Sequence, residues 1–252
     1  MVNILDYMAG AEMTEPLYQT DSHLREFSAR VEKTDVAEHA VLLDQTAFYP
    51  GGGGQPYDTG LLIAGNFRLP VIRVRKQPDG IWHYIAKEAP LPEAGSQVQG
   101  VLDWDRRYAL MRTHTALHIL CGVVFRDYGA HVTGGEMEPL KGRMDFEFES
   151  LQKELVQVIE DAVNREVQAA RDVRVAILPR EEAFQIPDLI RTRVNLLPEG
   201  IDFVRTVEIV GLDLQADGGT HVSNTREVGR VRVVDYKSKG KINKRLYIEM
   251  DD

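Results

Sequence analysis

Cysteine is almost missing from this chain. Its 252 residues hold one, Cys121, so an internal disulfide is excluded and a reducing cytoplasm is the expected setting. A basic leader is missing too. The opening MVNILDYMAGAEM carries Asp6 and Glu12 and no n-region of lysines or arginines, so it does not read as a signal peptide. No long apolar run exists. The longest, ALHILCGVVF, is far too short to span a bilayer. Positive charge is in deficit, with a net of −9, which argues against indiscriminate nucleic-acid binding while leaving room for a local basic patch. Internal repeats and low-complexity segments are absent. What remains, 43% hydrophobic and 27% charged residues, is ordinary for a soluble globular protein and enough for a sizeable core.

The first hundred residues read as short strands. AVLL (40–43), LLIAG (61–65), FRLPVIRVRKQ (67–77) and IWHYIAKE (81–88) alternate with period two, and Pro78-Asp79-Gly80 is a turn signal. About six such strands predict a small barrel over residues 1–100. The character then changes. Asp103 or Asp105 can cap a helix through RRYALMRTHTALHILCGVVFRDYG, stopping at Gly129. RMDFEFE reads as a strand, Ser150 as the cap of a second helix over 151–171, and VRVAILP as a strand. FVRTVEIVGLDLQ reads as one strand, and residues 228–250 as a hairpin turning near Ser238 to Lys241. Residues 101–252 are therefore expected to form an α+β domain.

Two stretches carry chemistry. His114 and His118 are four apart on the predicted helix, about 40° around and about 6 Å along its axis. Two imidazoles so placed can reach one ion. A hundred residues on, Asp217 and His221 bracket Gly218, Gly219 and Thr220 in a tight loop. Imidazole plus carboxylate is a normal zinc set. A single HxxxH pair suits a packed helix face equally well, and the second pair is what shifts the reading toward a metal. Cys121 lies near the same helix face and reads as a core thiol. His83 and His131 have no partner spacing and read as structural. The run TAFYPGGGGQPYDTG holds Gly51, Gly52, Gly53 and Gly54. It lacks the lysine of a phosphate-binding loop and the last glycine of a dinucleotide fingerprint. Four glycines still imply unusual backbone angles or a close approach.

TAFYPGGGGQPYDTG, HTALH and DLQADGGTHVSNTREVG, in this order, resemble the AlaX family of alanyl-tRNA editing proteins, free-standing relatives of the editing domain of alanyl-tRNA synthetase. NREV, PREEA and VRTVEI fit as well, and the resemblance covers residues 17–229. It implies an N-terminal barrel like that of translation factors, then an α+β editing domain shared with class II synthetases. It also implies hydrolysis of Ser-tRNA(Ala), and in some members Gly-tRNA(Ala), with one zinc ion at His114, His118, Asp217 and His221. The family pattern reads Cys-Gly-Gly-Thr-His where this chain has Asp217. The carboxylate is a harder ligand than thiolate, so Asp217 stands either as fourth ligand or beside the ion.

A hydrophobic pocket alone cannot separate serine from alanine well. Thr46, Gln55 and Thr113 are accordingly the candidates for contact with the serine hydroxyl. Arg226 to Leu246 carries eight basic residues against two acidic ones, a net of +6. Arg226, Arg230, Lys237, Lys239 and Lys241 are the expected contacts with tRNA phosphates. The chain is too short for an aminoacylation core as well, so action in trans without ATP or a membrane is expected. Two other classes remain open, a different zinc metallohydrolase and a non-catalytic tRNA-binding module with a structural metal site.

Overall fold

The computed structural model describes residues 14–148, 152–191 and 201–252. Two readings, the loose leader over 1–13 and the Ser150 cap, fall outside them. The chain divides into two compact units. Residues up to Gly52 with Pro56–Tyr108 form the first, and Gly53–Gln55 with Ala109–Asp252 form the second.

The first unit is a closed six-stranded barrel. Its strands are β1 (Glu26–Asp35), β2 (Ala40–Leu43), β3 (Gly60–Ala64), β4 (Phe67–Gln77), β5 (Gly80–Ile85) and β6 (Gln97–Leu102). They run β1-β2-β5-β4-β3-β6 around the barrel, and β6 returns to β1. Every pairing is antiparallel. Period-two alternation fills the interior with Phe27, Val31, Leu62, Leu69, Val74, Ile81 and Val98.

Arg107 is fully buried in this unit. Its guanidinium donates to both Asp58 carboxylate oxygens, to the Ser22 carbonyl at 2.9 Å and to the Ala47 carbonyl at 2.5 Å. Asp58 in turn accepts from the Tyr49 backbone N–H at 2.6 Å. The chain on both sides of the glycine run is thus tied to one ion pair. Gly51, Gly52, Gly53 and Gly54 between these ties have φ of 85°, 136°, 57° and 88°, a succession that only glycine adopts without strain. The run is a shaped backbone and not a flexible linker.

In the second unit, helix α1 (Trp104–Tyr128, its first residues counted with the barrel) begins beyond Asp103, whose carboxylate accepts from the Arg106 N–H at 3.3 Å. It ends at Gly129, φ 64°, whose N–H bonds the Phe125 carbonyl. From Leu110 to Val124 the helix is almost entirely buried, so it shows no polar face. Strands β7 (Val132–Glu138) and β8 (Lys141–Glu147) form a hairpin, and α2 (Lys153–Gln168) follows with Val156, Ile159, Val163 and Val167 buried on one side. Next come β9 (Val173–Pro179), β10 (Phe203–Ile209), β11 (Asp213–Ala216), β12 (Val231–Ser238) and β13 (Asn243–Met250). They make a sheet β12-β13-β8-β7 and a sheet β9-β10-β11.

Two expectations need correction. FVRTVEIVGLDLQ is two antiparallel strands, because Gly211 at φ 74° turns the chain between β10 and β11. VTGGEME, unread as a strand, is β7. Its two glycines carry no strand propensity, and pairing along β8 supplies what they lack.

His83 is buried in the barrel, its Nε2 2.8 Å from Thr46 Oγ1. Burial pushes its imidazole pKa down to about 4. The folded barrel therefore refuses a proton that the unfolded chain accepts near pH 6.5. The stability at stake is complete above pH 6.5 and is lost as pH falls toward 4. His83→Gln removes this dependence. Between pH 7 and 4.5, urea unfolding of the parent should lose about 2–3 kcal/mol more than that of the variant. Equal losses would refute the assignment.

Candidate metal centre

Helix α1 presents His114 and His118 one turn apart, both buried. The loop after β11 presents Asp217 and His221. One nitrogen or oxygen from each lies within 4.8 Å of all the others, so the spacing read from sequence does converge and could hold a metal ion. His114 Nε2 is 3.6 Å from Asp217 Oδ1, and His221 Nε2 is 3.1 Å from Asp217 Oδ2.

The far nitrogens of His114 and His221 meet partners outside the set, and that of His118 stands at ion-pair distance from a carboxylate without a hydrogen bond. His114 Nδ1 is 3.0 Å from Gln55 Oε1, His221 Nδ1 3.1 Å from Thr115 Oγ1, and His118 Nδ1 3.4 Å from Asp213 Oδ2. Partners of this kind fix ring orientation and tautomer, leaving Nε2 as the ligand atom. Donor types and orientation both fit a divalent ion such as zinc.

Gln55 does more than hold one ring. Its Oε1 also accepts from the Thr220 N–H at 3.0 Å, and its Nε2 donates to Thr220 Oγ1 at 2.8 Å. Gly219 makes this closeness possible. A Cβ there would sit 2.3 Å from His114 Cε1 and 2.7 Å from Gln55 Oε1. Asp217 Oδ2 accepts from the Gly219 N–H at 2.7 Å, and Arg205 donates to the Asp217 carbonyl at 2.8 Å. Asp213 is held by Gln215 Nε2 at 2.6 Å and Arg191 Nε at 3.3 Å, and the Arg191 guanidinium lies 3.8 Å from the Phe125 ring centre.

Charge follows from these contacts. Burial dominates at His114 and lowers its pKa well below 6.5. The same cause pushes His221 down to about 4. Burial opposes the charge on Asp217, yet the surrounding imidazoles, His114 first, win and hold its carboxyl ionised. His118 also pays for burial, but Asp213 and Asp217 outweigh that and raise its pKa. Two neutral imidazoles, a carboxylate and a third imidazole facing Asp213 make a donor set suited to a cation. The Cys121 thiol, on the cavity wall, is driven upward by burial first and by Asp213 second.

The set borders a cavity of about 820 Å³, lined among others by Gly53, Gly54, Leu117, Val132, Gly134, Met137, Met144, Arg191 and Gln215. Of the proposed serine contacts in the second unit, Gln55 reaches the donor set, and its amide is already engaged by His114 and Thr220. Thr46 is wholly buried in the barrel, its hydroxyl bonded to His83 and to the Phe48 N–H. Thr113 bonds the Ala109 carbonyl and accepts from the Leu140 N–H. Both hydroxyls are thus bonded within the protein.

The basic tail is also less free than its count. Arg245 is paired with Asp145 at 2.6 Å, Arg232 with Asp251 at 3.1 Å and Lys237 with Asp235 at 3.0 Å, while Lys244 Nζ bonds the carbonyls of Gly240 and Lys241. Arg226, Arg230, Lys239 and Lys241 are exposed and make no ion pair among the described residues. Sequence reasoning missed Asp213, Thr115 and Arg205. A signal existed for the first, since 213 and 215 share one face of a strand that leads into Asp217.

With fold and geometry in view, the comparisons place the chain. Residues 12–106 match the family described as tRNA synthetases class II (A), and residues 204–247 the Threonyl and Alanyl tRNA synthetase second additional domain. Both units are thus related to class II synthetases. The chain belongs to the alanyl-tRNA editing protein family. It is 41% identical over 237 residues to the alanyl-tRNA editing protein AlaX-M of Saccharolobus solfataricus, covering 93% of this chain and 98% of that one. With the AlaX-M of Methanosarcina acetivorans it shares 38% over 246 residues, covering 95% and 100%. It also matches the alanine–tRNA ligase of Ignicoccus hospitalis, at 37% over 237 residues, 92% of this chain but 25% of the ligase.

Gln55→Leu keeps the bulk and deletes both amide atoms, leaving His114 Nδ1 and the Thr220 N–H buried without partners. Each orphaned group is worth about 1–3 kcal/mol. Urea unfolding should show a loss of that size for the pair. A loss below about 0.5 kcal/mol would mean that the amide does not tie the loop to the helix.

Proposed function

We propose that this protein is a trans-acting deacylase that hydrolyses the ester between serine and the terminal ribose of mischarged tRNA(Ala), with one zinc ion held by His114, His118, His221 and Asp217. The observation that carries the reading is the convergence of three imidazoles and a carboxylate, of which His114, His118 and Asp217 line a cavity of about 820 Å³, in a chain aligned with 98% of an alanyl-tRNA editing protein.

Bound there, zinc would supply Lewis-acid polarisation of the ester or of a water. The chain's own residues do the rest. Gln55 Oε1 accepts the His114 Nδ1 proton and Asp213 faces that of His118, so both rings offer Nε2. An aminoacyl ester is already activated, so holding it against a polarised water is a large part of the work. Leu117, Met137 and Met144 give the cavity apolar walls that exclude bulk water. Selectivity for serine over alanine needs a hydrogen bond that alanine cannot make. Thr133, Glu136 and Gln215 line the cavity wall and are further polar side chains proposed for it, although each also bonds within the protein, to Asn243, Arg143 and Asp213. Arg226, Arg230, Lys239 and Lys241, with Lys237 beside them, are the proposed contacts with tRNA phosphates. No ATP is needed, and the cytoplasm, where charged tRNA is found, is the proposed place of action. No helix among the described residues is long and apolar enough to cross a membrane.

Elemental analysis of protein purified without chelator should give about one zinc per chain. Less than a tenth of that in protein active without added metal would remove the zinc centre. Asp217→Cys should tighten zinc binding, as thiolate is the softer ligand, and Asp217→Ala should weaken it. Unchanged affinity in the alanine variant would place the carboxylate outside the ligand set.

The activity itself is tested with Ser-tRNA(Ala) and Ala-tRNA(Ala), with and without chelator. Fast release of serine, abolished by chelator, with alanine spared, is the expected result. Equal rates on both would overturn the editing reading. Hydrolysis of small esters without tRNA would favour an unrelated metallohydrolase.

A further inference from the structure

The barrel carries a charged feature that the metal centre does not use. Strand β4 reads FRLPVIRVRKQ, with four basic residues and no acidic one. Leu69, Val71 and Val74 point into the barrel core. Strict alternation would send residue 73 inward with 69 and 71. A bulge between Val71 and Arg73 shifts the register instead, so that Ile72 and Arg73 are both exposed. Arg68, Arg73 and Arg75 therefore share the outer surface, Arg73 and Arg75 two residues apart and about 7 Å from each other.

Arg68, Arg73 and Arg75 make no ion pair among the described residues. The neighbouring strands β3 and β5 contain no acidic residue. The only carboxylate between residues 60 and 85 is Asp79, and it is already bonded to Lys33 at 3.1 Å and to Trp82 Nε1 at 2.9 Å. Arg73 is steadied over the Tyr84 ring, 5.4 Å from its centre. Phe67 and Ile72 beside the cations are 59% and 52% exposed.

Two ordinary explanations fit poorly. Cations often guard an open sheet edge against pairing, but this barrel is closed and β4 is hydrogen-bonded on both sides. A merely solvated face mixes both signs of charge, and this one has a single sign, in a chain whose net is −9.

We propose that the outer face of β4, with Arg68, Arg73 and Arg75, is a docking surface for the sugar–phosphate backbone of RNA. Guanidinium forks match phosphate oxygens, and the exposed Phe67 and Ile72 offer apolar contact between them. The proposal rests on the tRNA reading for the identity of the RNA, and it adds a contact region in the barrel to the one at the β12–β13 hairpin.

The test is binding of uncharged tRNA(Ala) to the full chain by fluorescence anisotropy at several salt concentrations, with deacylation of Ser-tRNA(Ala) measured separately. The triple variant Arg68→Ser, Arg73→Ser, Arg75→Ser removes side chains that have no ion-pair partner, so the fold is retained, which circular dichroism verifies. Its dissociation constant should rise at least tenfold, and the slope of log K against log salt should shrink by about 2–3, as expected for three lost phosphate contacts. The triple Arg→Lys variant keeps the charge and should retain most of the slope. An unchanged constant and slope in the serine variant would overturn the proposal, as would equal loss in the serine and lysine variants, which would report damage to the barrel. If the parent binds tRNA with a steep salt slope but releases no serine, the editing reading fails while the docking surface stands. If the variant binds and deacylates as the parent does, the reverse holds.

Discussion

Burying the Asp217 carboxylate among three imidazoles is the constraint on which this structure turns. An ionised carboxylate removed from water is costly unless cations or donors surround it. Here the Gly219 N–H donates to it, His221 Nε2 lies 3.1 Å away, and the Arg205 guanidinium lies 3.7 Å away. Each needs its own support. Gly219 must lack a Cβ to lie against His114, Thr220 must bond Gln55, and Arg205 must stand across the β10–β11 pairing, where its carbonyl accepts from the Asp217 N–H. The glycine run sits in the same network. Met137 donates to the Gly54 carbonyl at 3.2 Å, and a Cβ on Gly54 would lie 2.9 Å from the Gly135 carbonyl oxygen. The run leads into Gln55, and its Gly53 and Gly54 line the cavity.

The ligand set was legible because it obeys a local rule. His114 and His118 lie one helical turn apart, and Asp217 and His221 bracket a turn. The partners that orient them were not, since Gln55, Thr115 and Asp213 join rings that lie 59, 106 and 95 residues away in the chain. Periodicity carries no information about such pairings. Thr46 and Thr113 illustrate the opposite error. A hydroxyl near a motif looks available until the neighbours that consume it, His83 for one and Leu140 for the other, are known. Charge counting failed in the same way at the tail, where Arg232, Lys237, Lys244 and Arg245 are bound within the protein.

Among the elements, the barrel strands followed from alternation and the second long helix from its apolar stripe, because burial on one face imprints its period on the sequence. Helix α1 is an exception in kind. It is buried on every side, so its apolar and polar residues show no stripe, and its reading relied on Asp103 and Gly129 at the ends. β7 and the break at Gly211 escaped because glycine reports where the backbone may go, not where it does.

The span of the Gln55 fork has a kinetic consequence. Its bonds to His114 and Thr220 close loops of 59 and 165 residues, and contacts of such sequence separation form only after much of the chain has been ordered. The helix can wind and the barrel can close while the donor set is still open. The geometry of the donor set therefore belongs to the finished molecule. Changes at Gln55 or Gly219 act mainly on how fast the native state comes apart and leave the rate at which it forms nearly untouched.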